Sequence, residues 1–233
     1  MVSVEIKSQK LDYSVEESFK SLRANLQFCG EDKKVIAITS CTPNEGKSSV
    51  TLNLAISLAD AGKKVLLIDA DLRKSVLLGR IHVTEAVKGL THFLSRQTQL
   101  LDVICNTNVP KLSIIFAGPV PPNPAELLGG KYFKELLASA RKVYDYILVD
   151  TPPLGSVIDS AIIAEECDGS VMVIESGVIS YRFAQEVKEQ LAKSNCPILG
   201  VVLNKVDMAK QGYGKYYSKY GNYGSYGQDK KNK

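Results

Sequence analysis

Apolar residues follow two rhythms along this chain. Val15, Phe19, Leu22 and Leu26 recur every three or four positions, which predicts an amphipathic helix over about 14–28. Ser14, with Glu17 three residues on, reads as a capping box that starts it. Elsewhere the apolar residues form short unbroken runs at 35–40 (VIAITS), 65–69 (VLLID), 112–116 (LSIIF), 146–150 (YILVD), 170–175 (SVMVIE) and 198–204 (ILGVVLN). Such runs read as strands buried on both faces. Helical stretches are predicted between them at about 46–61, stopped by Gly62, and at 125–142, 159–167 and 181–194. Residues 71–108 are less periodic and predict one or two helices with loops.

Buried strands alternating with helices predict an α/β chain: a mostly parallel sheet covered by helices on both faces. Four runs end in a polar residue, Ser40, Asp69, Asp150 and Asn204. The carboxyl edge of an open parallel sheet is where such folds bind ligands.

Of 233 residues, 45% are apolar. This suits one domain over 1–207. The remainder, 208–233, holds Tyr213, Tyr216, Tyr217, Tyr220, Tyr223 and Tyr226 among Gly, Ser, Asn and Lys. Almost free of aliphatic residues, it cannot bury enough surface to offset its ordering entropy and is expected to be a disordered tail. Its six lysines against Asp229 give it +5, which leaves the rest of this +4 chain near −1. That balance argues against a nucleic-acid platform in the folded part. There is no run of about 18 apolar residues and no apolar signal centre at the N-terminus. The expected location is cytoplasmic, with any recruitment to the inner face of the membrane borrowed from a partner. The five cysteines, Cys29, Cys41, Cys105, Cys167 and Cys196, form no CxxC pair, as expected of a chain without a metal or disulfide framework.

Three motifs carry chemistry. Residues 40–49 read SCTPNEGKSS after the first buried run, with Gly46, Lys47 and Ser48 fitting the second half of a phosphate-binding P-loop, GxxxxGK[ST], while Cys41 stands at the first glycine. Backbone N–H groups of Pro43–Ser49 region residues Asn44, Glu45, Gly46 and Ser49, beside Pro43, would cradle phosphates at a helix start. Lys47 would reach the β- and γ-phosphates of a nucleoside triphosphate, and Ser48 Oγ would ligate Mg²⁺. The second motif, VLLIDADLRKS, places Asp69 and Asp71 on one side of an extended segment, with Arg73 two residues on. Paired carboxylates of this kind need a cation nearby. The third, YILVDTPP, ends a strand in Asp150, a Walker B acid suited to Mg²⁺. Asn204, opening NKVD, is a candidate contact to the nucleotide base; the motif looks like the NKxD of GTPases, which would favour guanine.

Taken together these residues resemble the bacterial tyrosine kinases of capsule and exopolysaccharide synthesis over nearly the whole chain. Residues 39–49 look like their Walker A, 66–75 (LLIDADLRKS) like their Walker A′, 147–153 like their Walker B, and 118–128 (GPVPPNPAELL) like a further family stretch. The resemblance implies a P-loop NTPase fold and an ATP- and Mg²⁺-dependent tyrosine kinase acting on protein substrates. It implies that Asp69 is the base, that Asp71 and Asp150 join Ser48 in the Mg²⁺ shell, and that Lys47 and Arg73 serve catalysis. It also implies adenine at Asn204 and autophosphorylation of the tail tyrosines in trans. Glu17, Lys20 and Arg23 correspond to an ExxRxxR motif that joins subunits into a homo-oligomeric ring, with lysine in place of one arginine and so without its bidentate fork. The implied partners are a separate membrane activator of the Wzz or CapA kind, whose cytoplasmic tail completes the nucleotide site, and a cognate tyrosine phosphatase.

Two other readings compete. A MinD/ParA-type ATPase switch shares the sheet and the Walker B strand, but its signature lysine falls at Thr42 here, and a tyrosine-rich tail serves nothing in that class. A tail that binds single-stranded nucleic acid by stacking and charge would lack arginine and any fold around it.

Overall fold

The computed structural model describes residues 2–7, 11–83 and 86–207. The strands are β1 (Ser3–Ile6), β2 (Val35–Ser40), β3 (Val65–Asp69), β4 (Ile81–His82), β5 (Cys105–Thr107), β6 (Leu112–Ile115), β7 (Tyr146–Asp150), β8 (Gly169–Glu175) and β9 (Ile198–Asn204). The helices are α1 (Tyr13–Phe28), α2 (Lys47–Asp60), α3 (Leu90–Leu94), α4 (Leu100–Val103), α5 (Pro124–Leu128), α6 (Lys131–Ala140), α7 (Asp159–Ala164) and α8 (Tyr181–Ala192). The described strands form one sheet in the order β4-β1-β5-β6-β3-β7-β2-β8-β9. From β6 to β9 every pairing is parallel; β5 runs antiparallel to β6, and β4 antiparallel to β1.

The apolar runs are continuous because both sides of the sheet are covered. Successive side chains of a strand point to opposite faces. Val35 and Ala37 of β2 join one core with Leu128, Phe133, Leu137, Ile163 and Leu191 from α5, α6, α7 and α8. Ile36 and Ile38 join the other with Leu26 of α1 and Val50, Leu54 and Leu58 of α2. Strands β3 and β7 divide their side chains the same way.

Register places the acids. Asp69 and Asp150 stand directly opposite each other across β3 and β7, and Ile38 of β2 pairs with Asp150 on the other side. Strand β7 therefore lies between the strands that lead into the two other motifs, and all three motifs leave one edge.

Several local expectations are corrected. Helix α1 begins at Tyr13 after Asp12, so Ser14 lies in the first turn instead of capping it. The Ser14 carbonyl accepts from Ser18 Oγ at 2.8 Å, and Glu17 pairs with Lys20 at 2.7 Å. The single helix expected over 125–142 is two, because Gly129 and Gly130 break it between α5 and α6. Within 71–108 the two helices α3 and α4 are short, and strands β4 and β5 were not foreseen. Strand β1 was also missed. Its alternation of exposed and buried residues, with Val4 and Ile6 inward, was present in the sequence but only four residues long.

Candidate active site

The turn after β2 has the backbone of a phosphate loop. Asn44 (φ 68°) and Gly46 (φ 88°) both adopt left-handed conformations before α2 starts at Lys47. Glycine is required at 46 for a second reason: a Cβ there would lie 2.1 Å from Asn204 Nδ2. Asn204 donates from that Nδ2 to the Glu45 carbonyl at 2.8 Å. The end of β9 thus holds the loop from outside, and Lys205 adds a second tie by donating to the Asn44 carbonyl at 2.7 Å and to Glu175 Oε2 at 2.8 Å.

Glu45 braces the loop from inside. Its side chain is buried and accepts the Thr42 N–H at 2.7 Å and the Glu175 N–H at 3.2 Å. The Glu45 carboxylate therefore shapes the loop by tying it to the end of β8. Replacing it by alanine strips two backbone donors of their acceptor, each worth about 1–3 kcal/mol when buried. Glu45→Ala is expected to lower the melting temperature and weaken Mg-ATP binding together, with Glu45→Gln recovering most of both. Melting curves alongside calorimetric titration check this; unchanged nucleotide affinity in the alanine variant would contradict it.

Behind the loop lies a buried cluster of charge. Lys47 Nζ donates to Asp150 Oδ1 at 3.0 Å and to Ser48 Oγ at 3.3 Å, and stands 3.9 Å from Asp71 Oδ2. Asp69, Asp71 and Asp150 are all nearly inaccessible to solvent. Burial, reinforced by Asp150, pushes the Asp69 carboxyl up to about 7, against opposing pulls from Ser75 and Lys47. The Ser75 hydroxyl donates to Asp69 Oδ2. Burial also raises Asp150, while Lys47 opposes it. Asp71 Oδ1 accepts the Lys74 N–H at 3.0 Å, which fixes the turn after β3. Cys41 is buried, and desolvation pushes its thiol up to about 11, so it fills space at the loop's start.

Three carboxylates against one ammonium leave a buried excess of negative charge that a divalent cation would relieve. Among the described residues no three His, Cys, Asp or Glu side chains converge as a closed metal cage. Mg²⁺ is commonly bound through one or two carboxylates, with phosphates and waters supplying the rest. Ser48 Oγ, Asp71 and Asp150 are the oxygens present.

Arg73 sits beside this cluster with a fixed partner. Its Nε and Nη2 donate to Asp159 Oδ2 and Oδ1 at 2.7 and 2.9 Å, and this pairing raises its already high pKa. Sequence reasoning missed Asp159, Glu175 and Lys205 because each reaches its partner across the fold. Ser49 Oγ accepts from Arg80 Nη1. Pro43 is exposed on the loop. Of the three residues expected to serve assembly, Glu17 and Lys20 pair on the exposed face of α1, whereas Arg23 turns to α2 and donates to the Ser57 carbonyl at 2.7 Å. The tail tyrosines Tyr213, Tyr216, Tyr217, Tyr220, Tyr223 and Tyr226 lie outside the described residues. Among the described residues no helix is long and apolar enough to cross a membrane.

A family profile described as an AAA domain matches residues 33–195. A tyrosine-protein kinase, CpsD of Streptococcus agalactiae, is 46% identical over 218 residues, which are 93% of this chain and 95% of that protein. Among solved structures, the chimerical protein CapA2B2 superposes with a TM-score of 0.79 at 28% identity, over 88% of this chain and 94% of the other. The septum site-determining protein MinD of Pyrococcus horikoshii, complexed with Mg-ADP, gives 0.64 at 27% identity, over 76% of this chain and 72% of the other. The fold is thus that of the P-loop NTPases: a mostly parallel sheet, helices on both faces and a nucleotide loop at the carboxyl edge.

Proposed function

Because the chain belongs to the bacterial tyrosine-protein kinases, we propose that it transfers the γ-phosphoryl group of ATP to tyrosine hydroxyls, its own tail first, and so regulates capsular or extracellular polysaccharide synthesis. The observation that supports this most is the juxtaposition of Asp69 and Asp150 across β3 and β7 beside Lys47. Bound Mg-ATP supplies the phosphoryl group and the divalent charge. Lys47, now paired with Asp150, would turn to the phosphates, and Ser48, Asp71 and Asp150 would hold the cation. Asp69, with a proton affinity near neutrality, accepts the tyrosine hydroxyl proton. A base poised near the working pH is the favourable case for proton transfer. Asn204, already bonded to the loop at Glu45, would also read adenine.

The MinD-like reading loses support at Thr42. Its hydroxyl side chain carries no charge to bring to a neighbour's phosphate, and its N–H is bound to Glu45. The CpsD relative is also much nearer in sequence than MinD.

Regulation follows from charge. Each phosphate adds about −1.5 to −2 near neutral pH, so about three of them cancel the tail's +5. Unmodified tails would favour assembly and phosphorylated tails dissociation, with a phosphatase reversing the change. Truncation after Asp207 is expected to remove most self-phosphorylation and leave Mg-ATP affinity unchanged. Mass spectrometry that puts the phosphotyrosine on Tyr13, Tyr132, Tyr144, Tyr146 or Tyr181 instead of the tail would refute this.

A ring would draw on Glu17 and Lys20, which are exposed; Arg23 would take part only by leaving Ser57. Glu17→Ala with Lys20→Ala is expected to shift any oligomer toward monomer without lowering the melting temperature. Light scattering showing the same mass before and after would reject that role. The membrane activator is proposed to be a CapA-like protein whose cytoplasmic segment completes the nucleotide edge; the CapA2B2 likeness motivates this choice.

A further inference from the structure

We propose that Asp159 is a positioning residue that aims Arg73 at the γ-phosphate end of the site, a proposal that rests on the kinase reading above. Asp159 is completely buried, and both of its oxygens accept from Arg73, at 2.7 and 2.9 Å. An arginine head has five N–H donors in a rigid fork. Two are spent on Asp159, which leaves three on a side chain that is 41% exposed. The paired edge of the fork is thus fixed inward and the free donors are turned outward.

The support under Asp159 is rigid. It opens α7, whose next residue, Ser160, donates its hydroxyl to the Pro152 carbonyl. The same carbonyl accepts Thr39 Oγ1 of β2 at 3.0 Å. Thr151, which follows β7, donates both N–H and hydroxyl to the Ile38 carbonyl at 3.0 Å. Asp159 is therefore tied to the ends of the two strands that carry the phosphate loop and Asp150. Arg73 belongs to the turn that carries Asp69 and Asp71. The Arg73–Asp159 pair joins these two halves and fixes where the one cationic fork of the turn stands relative to the phosphate loop. A donor held in place before charge develops stabilises a transferring phosphoryl group without reorganising. Its contribution should thus appear with the transition state and not with ADP.

The test is calorimetric titration of the full chain with Mg-ADP, with and without aluminium fluoride as the transition-state mimic, alongside kcat and KM for ATP. Asp159→Asn keeps the size of the side chain and loses its charge. It is expected to bind Mg-ADP as the wild type does, to lose about tenfold or more of the affinity gained with aluminium fluoride, and to lower kcat with KM little changed. In an Arg73→Gln background the same substitution should do nothing more. Should Asp159→Asn fail to fold, Arg73→Gln alone must show the selective loss of mimic affinity. Equal mimic affinity in the variants, or a fall in Mg-ADP affinity as large as the fall with the mimic, would overturn the proposal. So would a wild type that binds Mg-ADP but gains nothing from the mimic, while the nucleotide-site reading stands. A wild type that binds no Mg-ADP would overturn that reading and the proposal with it.

Discussion

Replacing Lys47 by methionine is expected to cut tyrosine phosphorylation by about a hundredfold or more, since one preorganised charge contact to a transferring phosphoryl group is worth about 3–4 kcal/mol. The geometry adds a second consequence. Lys47 Nζ lies 3.0 Å from Asp150 Oδ1, with the two side chains 9% and 2% exposed. Removing it leaves buried carboxylates without their cation, a change that typically costs about 3–5 kcal/mol. The loss should depend on pH. Without Lys47 the carboxyls of Asp69 and Asp150 rise further above their unfolded values. The folded protein then binds more protons than the unfolded chain, so stability falls as pH rises from the usual carboxylate range. Lys47→Met should therefore melt nearer the wild type at pH 5 than at pH 8. A variant that phosphorylates normally would remove the phosphate-loop assignment. One that melts like the wild type at both pH values would remove the electrostatic account of the cluster.

Asp69→Asn should separate chemistry from binding. Loss of a general base costs about 10²–10⁴-fold in rate, whereas Mg-ATP affinity should stay within a few-fold, because Asp71, Asp150 and Ser48 remain. The same substitution should stabilise the protein in magnesium-free buffer at pH 8. With its folded carboxyl pushed up to about 7, Asp69 lowers stability progressively as pH rises from the unfolded value near 4 to about 7, and fully above that. A displacement of about three pH units corresponds to an upper bound of order 4 kcal/mol. Near pH 4 the benefit of Asn should vanish. Urea melts across pH, paired with phosphotyrosine assays, test both halves. A destabilised, active Asn variant would contradict both.

The reach of the sequence can be traced residue by residue. The long buried strands were legible because β2, β3 and β7 are covered on both faces and so stay largely apolar up to the polar residues at their carboxyl ends. Lys47, Asp69, Asp71 and Asp150 were legible because each has a fixed offset from a strand end, and the register then brings them together. Short elements left no comparable trace: β4 has two residues and β5 three. The break between α5 and α6 was written in Gly129-Gly130, but the apolar spacing ran through it. Asp159 carried no local sign at all. Its meaning comes from Arg73, 86 residues earlier, and from the burial that makes a partner necessary. The capping box at Ser14 failed because a helix start is decided by backbone geometry, and here that begins at Asp12.

The central claim, a Mg-ATP-dependent tyrosine kinase, is tested most directly by incubating the full chain with ATP labelled in its γ-phosphate. The incubation is run with and without the cytoplasmic segment of a CapA-like activator, and the acid-stable label is followed by phosphoamino-acid analysis. The account predicts label on tyrosine that requires Mg²⁺ and disappears in Asp69→Asn. Label released only as free phosphate, in both conditions, would contradict it and return the chain to the ATPase switches.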